Sequence, residues 1–176
     1  DPITLEPAKA RAYEHPSFTV SESAGIVSFL MNLPDPSDEI KQSIHQAMLF
    51  FDKLKIKNTA IKQIGETWRD YKIVDENNAS PLWGRFYHLE NLKPIFSGRD
   101  GVIKYNLDEI EEERRRGYKW YGDWVSHIIP QYQKWFVKYG SIDASGLTMN
   151  KDTSYNLDKT IREVAKSHPN AQFVSR

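Results

Sequence analysis

The apolar positions form helical stripes toward both ends of the sequence and short alternating bursts in its middle. Ile26, Val27, Leu30, Met31 and Leu33 recur at helical spacing. They follow Thr19 and Glu22, which stand at capping-box spacing, so the pattern predicts a helix near 21–33, ended by Pro34 and Pro36. Ile40, Ile44, Met48, Phe51 and Leu54 make a second stripe. Ser37 is placed to cap it, with Asp38 and Glu39 in its first turn. Residues 59–105 read differently. Trp68 to Val74 and Trp83 to Tyr87 alternate, with the turn formers Asn77, Asn78, Ser80 and Pro81 between them. This predicts short extended segments and ordered loops. Pro94, Gly98 and Gly101 keep the next stretch out of helix.

Asn106 and Glu109 repeat the capping-box spacing and open the run DEIEEERRR. Its acids precede its bases, as the helix macrodipole favours, and Glu111 and Arg115 are spaced as an i, i+4 pair. Gly117 is a natural C-cap. Pro130 opens a helix that runs to about Tyr139 and stops at Gly140. The stretch 140–152 is polar and loop-like, and Leu157, Ile161 and Val164 mark a short last helix before Pro169. AKARAYE at 8–14, between Pro7 and Pro16, has room for one or two helical turns. The sum is a mainly α domain with functional loops.

Composition narrows the function. The 24 basic and 24 acidic residues cancel, which argues against a non-specific nucleic-acid binder. No apolar run approaches the ~20 residues of a membrane span. With no cysteine there is neither a disulfide framework nor a thiolate zinc site, a usage that fits a cytosolic or a secreted enzyme equally. The five histidines show no metal-ligand spacing, and the acid clusters Asp35–Asp38 and Asp75–Glu76 lack the pattern of a calcium loop. The first residues, DPITLEP, carry neither an initiator Met nor a signal peptide, as a processed or trimmed product would begin.

Three stretches stand out: DPITLEPAKARAYEHPS at 1–17, PLWGRFYHLENLKPIFSGRDGVIKYNLDEIEEERRRGY at 81–118, and KWYGDW at 119–124. Their order and wording resemble pectate lyases of polysaccharide lyase family 10, over residues 1–139. The tail at 140–176 does not resemble the family and reads as a C-terminal extension. The resemblance implies helices arranged as part of an irregular (α/α) toroid, with short β segments, long loops and an elongated cleft for polygalacturonate. It implies calcium-assisted anti-β-elimination and a secreted or periplasmic bacterial enzyme. The family's arginine in Ser-Gly-Arg-Asp is its Brønsted base, and that position is Arg99 here. The arginine of Trp-x-Arg-Phe-Tyr contacts substrate carboxylate, here Arg85, and one in Ala-Lys-Ala-Arg-Ala does likewise, here Arg11. The family's catalytic domain is about twice as long as the matched region. Its calcium aspartates are therefore expected upstream of Asp1, in a missing half or a second chain.

The chemistry suits those residue types. Removing the C5 proton of a uronate pushes charge into the C6 carboxylate, where guanidinium forks and a divalent cation stabilise it. An arginine base must first lose a proton held with a pKa above ~12. Outside the motif, Arg99 beside Asp100 is a turn arginine paired with a local carboxylate. Arg85 is then a cation–π partner, Trp83, Trp120 and Trp124 are core or cleft wall, and Arg114, Arg115 and Arg116 are a solvated helix face. Two other functions stand beside the lyase: a non-catalytic pectin-binding fragment, and a helical protein-interaction module presenting the apolar faces of 21–55.

Overall fold

The computed structural model describes residues 1–4, 6–64 and 71–139. The sequence readings at Trp68–Asp70, 140–152 and 157–164 lie outside them. In chain order the elements are β1 (Phe18–Thr19), α1 (Val20–Leu30), α2 (Asp38–Leu54), β2 (Thr59–Gln63), β3 (Tyr71–Asp75), β4 (Trp83–Gly84), β5 (Phe86–Tyr87), β6 (Phe96–Ser97), β7 (Ile103–Lys104), a 3-10 turn (Leu107–Glu109), α3 (Glu112–Gly117), β8 (Tyr121–Gly122) and α4 (Trp124–Tyr139). They divide into two compact units.

One unit takes residues 23–54 and, among the described residues, 125–139. It is helical because its stripes have helical period. α2 buries Ile44, Met48, Phe51 and Leu54, four of the five positions the sequence puts on its core face. Ser37 Oγ accepts the Ile40 N–H at 3.4 Å, a weak cap at the expected place. α1 buries Ala24 and Val27, with Met31 buried just beyond its end. α4 buries Val125, Ile128, Tyr132, Trp135 and Phe136. Side chains this size each contribute about 1.5–3 kcal/mol when removed from water. His45 sits among the aromatics of α4, its Nδ1 2.7 Å from the Tyr132 hydroxyl and its ring edge-on to Trp135 and Phe136.

α4 corrects the expectation that a helix begins at Pro130. Pro130 lies inside it, one turn and more past Trp124. The apolar stripe already starts at Val125 and Ile128, and burying it outweighs the helix bond that proline removes, worth about 3 kcal/mol.

The other unit takes residues 1–22 and 55–124. Its strands are short antiparallel pairs joining distant segments. Phe18 and Thr19 pair with Tyr87 and Phe86, and Trp83 and Gly84 pair with Gly122 and Tyr121. β6 pairs with β7, and β2 pairs with β3 over five residues of each. Phe86, Ile95, Phe96, Leu107, Ile110, Trp120 and Tyr121 form the core under these strands, with Tyr13 and Tyr118 packed against it. Trp83 and Trp120 are fully buried, as the core reading has it.

Two helical expectations are corrected here. Residues 8–14 make one turn, with Glu14 N–H donating to the Arg11 carbonyl, and no helix. The Glu-Arg run does not start its helix at Asn106. Leu107–Glu109 form a single 3-10 turn, Ile110 is extended, and α3 begins at Glu112. The backbone is extended at both Ile110 and Glu111, so the helix starts only after them, while Leu107 and Ile110 both enter the core.

Candidate active site

Arg99 sits at the tip of the loop between β6 and β7. Gly101 takes a positive φ of 66°, which a side chain resists, and its N–H returns to the Gly98 carbonyl at 3.2 Å. The Glu111 carboxylate accepts the Arg99 backbone N–H at 2.6 Å. Asp100 turns away from Arg99, to the Val102 N–H at 3.0 Å and to Lys104 at 3.1 Å, which together hold it below the usual carboxylate range.

The Arg99 side chain is exposed and bidentate on Glu113, with Nε and Nη2 at 2.9 and 3.0 Å from its two oxygens. Glu113 is shared. Arg114 Nη2 reaches it at 2.8 Å, and Glu113 is held below its ordinary pKa by Arg114 first and Arg99 second. Arg114 is only 16 % exposed, because its guanidinium lies over the Tyr13 ring at 4.6 Å. Its neighbours Arg115 and Arg116 are half-buried too, with Arg115 donating to the Ile110 carbonyl. α3 therefore does not present its arginines as a solvated face.

Tyr13 links this pair to the rest. Arg11 approaches the same ring at 5.4 Å and grips Glu14 with Nε at 2.9 Å and Nη2 at 2.6 Å. Arg11 is thereby held charged, its pKa pushed up by Glu14, while Glu14 is pushed down by Arg11. Tyr118 donates to Glu14 at 3.0 Å and meets Tyr13 edge-on at 5.6 Å. Burial pushes the Tyr118 phenol up to about 12. The Arg85 guanidinium lies over the Tyr118 ring at 4.6 Å and pairs with Glu22. The Arg85 backbone is fixed on both sides, its N–H donating to the Trp120 carbonyl at 2.7 Å and its carbonyl accepting from Val20 at 2.9 Å.

The structure thus joins all three arginines singled out in the sequence into one surface, in the order Arg99, Glu113, Arg114, Tyr13, Arg11, Glu14, Tyr118, Arg85, Glu22. His15 ties two of its segments together. Its Nε2 lies 3.2 Å from the hydroxyl of Ser97, next to the Arg99 loop, and burial lowers its pKa. Sequence reasoning missed Arg114, Tyr13 and Tyr118. Arg114 is hidden in a run of like residues, whereas a tyrosine two places from Arg11 was a readable hint. Three guanidiniums over aromatic rings, those of Arg11, Arg85 and Arg114, with Arg99 beside them, suit a ligand carrying several carboxylates.

Comparison with known proteins names the family of the domain that carries this surface. The family model described as Pectic acid lyase matches residues 1–129. Family 10 polysaccharide lyase from Cellvibrio cellulosa is similar in structure, with a TM-score of 0.62 and 34% identity over 73% of this chain and 39% of that one. An aspartate-to-alanine mutant of that lyase, in complex with trigalaturonic acid, matches with the same score and identity over 73% of this chain and 40% of that one. No curated protein matches the chain. The chain belongs to the pectic acid lyase family and spans about two fifths of the length of these solved relatives.

Proposed function

We propose that this chain supplies the arginine surface of a pectate lyase that cleaves polygalacturonate by anti-β-elimination. The observation that carries the reading is the continuous line from Arg99 through Tyr13 and Tyr118 to Arg85, in a chain of this family. One solved relative is in complex with trigalaturonic acid, a ligand of the kind such a surface suits.

Arg85 and Arg11 orient the polymer by bonding successive uronate carboxylates, and Arg99 takes the C5 proton. The electron pair of that C–H bond forms the C4–C5 double bond, and the C4–O4 bond breaks with its pair going to O4, which takes up a proton from water as the leaving chain departs. Charge gathers on the C6 carboxylate in the transition state, so guanidiniums aimed there bind it more tightly than the ground state. The base role requires Arg99 to part from Glu113, because a carboxylate partner favours the charged guanidinium. The order along the surface also puts Arg11 between Arg85 and Arg99. Single-arginine variants therefore separate the base, whose loss falls on kcat alone, from the carboxylate holders, whose loss raises KM as well.

Calcium is expected from the family resemblance. Among the described residues no three His, Asp or Glu side chains come together as a metal group. The carboxylates nearest the arginines, Glu14, Glu22 and Glu113, each hold a guanidinium. Calcium takes about six to eight oxygens. The described residues do not fit it. Its ligands, like the complete toroid, belong on this reading to the part of a family member that this chain does not span.

A second reading has its own support: the chain spans about two fifths of the length of its solved relatives. The chain by itself is then a pectin-binding fragment. Appearance of unsaturated uronate when polygalacturonate and calcium meet the complete protein supports the lyase. Oligogalacturonate binding with no unsaturated product from the complete protein leaves only the binder.

A further inference from the structure

Glu113 is an odd neighbour for two arginines on a surface meant for acidic ligands. Its side chain is 55% exposed, yet two guanidiniums converge on it. They differ in kind. Arg114 is packed on Tyr13 and pre-placed, while Arg99 is 70% exposed and held mainly by Glu113 itself. An exposed ion pair is weak, because solvent screens it and ordering two long side chains costs entropy. A ligand carboxylate offers the same two oxygens to the same donors.

We propose that Arg114 clamps one uronate carboxylate, with Glu113 as a built-in placeholder that the ligand displaces, which frees Arg99. Arg114 keeps its seat on Tyr13 and receives the incoming carboxylate. Arg99, released from Glu113, is free to turn toward the sugar ring. The chemical class is a carboxylate on a pyranose, and the clamp rests on the reading of this surface as oligogalacturonate-binding.

The consequence is a gain on removing an acid. A merely structural Glu113 loses binding when neutralised, whereas a placeholder improves it. Trigalacturonate is titrated calorimetrically into the 176-residue chain, into Glu113→Gln, into Arg114→Ala and into the double variant, each checked by thermal melting. The clamp predicts binding about threefold tighter in Glu113→Gln, the scale of one screened ion pair. It predicts about tenfold weaker binding in Arg114→Ala, the scale of one charged hydrogen-bonded contact, and loss of the Glu113→Gln gain in the double variant. Binding by Glu113→Gln alone also supports it. If the wild-type chain binds and Glu113→Gln binds equally or more weakly with its melting unchanged, the clamp is wrong and the proposed ligand stands. If neither binds, both fall.

Discussion

The Glu111 carboxylate lies in the space that a Cβ on Gly98 would fill. From there it accepts the Arg99 N–H at 2.6 Å, and Glu111 also begins α3 with its carbonyl accepting from Arg114 and Arg115. One residue therefore sets the Arg99 loop and the Arg114 helix in register. Gly98→Ala has to move the Glu111 carboxylate, the free end of an exposed side chain, and is expected to cost about 1 kcal/mol, the scale of the hydrogen bond to Arg99 that it disturbs. Glu111→Gln keeps an acceptor oxygen and Glu111→Ala does not. Amide exchange at Arg99 reports the difference: protection near wild type in the first, lost in the second. Equal protection in Glu111→Ala contradicts the role.

Acid should loosen the turn that carries Arg11. Glu14 is held below its ordinary 4.5 by Arg11 first, with Tyr118 adding to it. A depressed carboxylate means the unfolded chain takes up its proton sooner. The stability Glu14 contributes is whole above 4.5 and is lost as pH falls through the folded value. At neutral pH it is worth about 1 kcal/mol, since Arg11 is exposed. The melting-temperature gap between the wild type and Glu14→Gln therefore narrows below pH 4.5. A gap that widens on acidification contradicts the assignment.

Pro130 offers a cleaner test of packing against local preference. It is exposed within α4, where it withholds an N–H from the helix ladder. Pro130→Ala should stabilise by about 1–2 kcal/mol, the interior-proline penalty less the entropy the unfolded chain regains. Thermal melting measures it, and an unchanged or lower transition sinks the account.

These cases show what the chain makes legible. The α2 stripe was readable because Ile44, Met48, Phe51 and Leu54 keep one helical period to the end. The start of α4 was not, because Pro130 is a strong local signal that tertiary burial of Val125 and Ile128 overrides. The Glu-Arg helix starts later than its charges suggest, because the backbone is extended at Ile110 and Glu111 and turns helical only at Glu112. The pairing of β1 with β5 joins residues nearly seventy apart, which no local pattern encodes. At the site, Arg85 and Arg99 were visible through unusual motifs, and Asp100 was the obvious partner for Arg99. The partner is Glu113, a long-range neighbour that only folding supplies.

The most direct test of the central claim is the kcat of the complete lyase carrying Arg99→Ala, read as unsaturated uronate released from polygalacturonate with calcium present. If Arg99 is the base, kcat falls by about a hundred- to ten-thousandfold, the usual reach of general base catalysis, while KM moves little. An Arg99→Ala enzyme that keeps its kcat and loses only affinity, beside an Arg11→Ala enzyme that loses kcat, contradicts it and moves the base to Arg11.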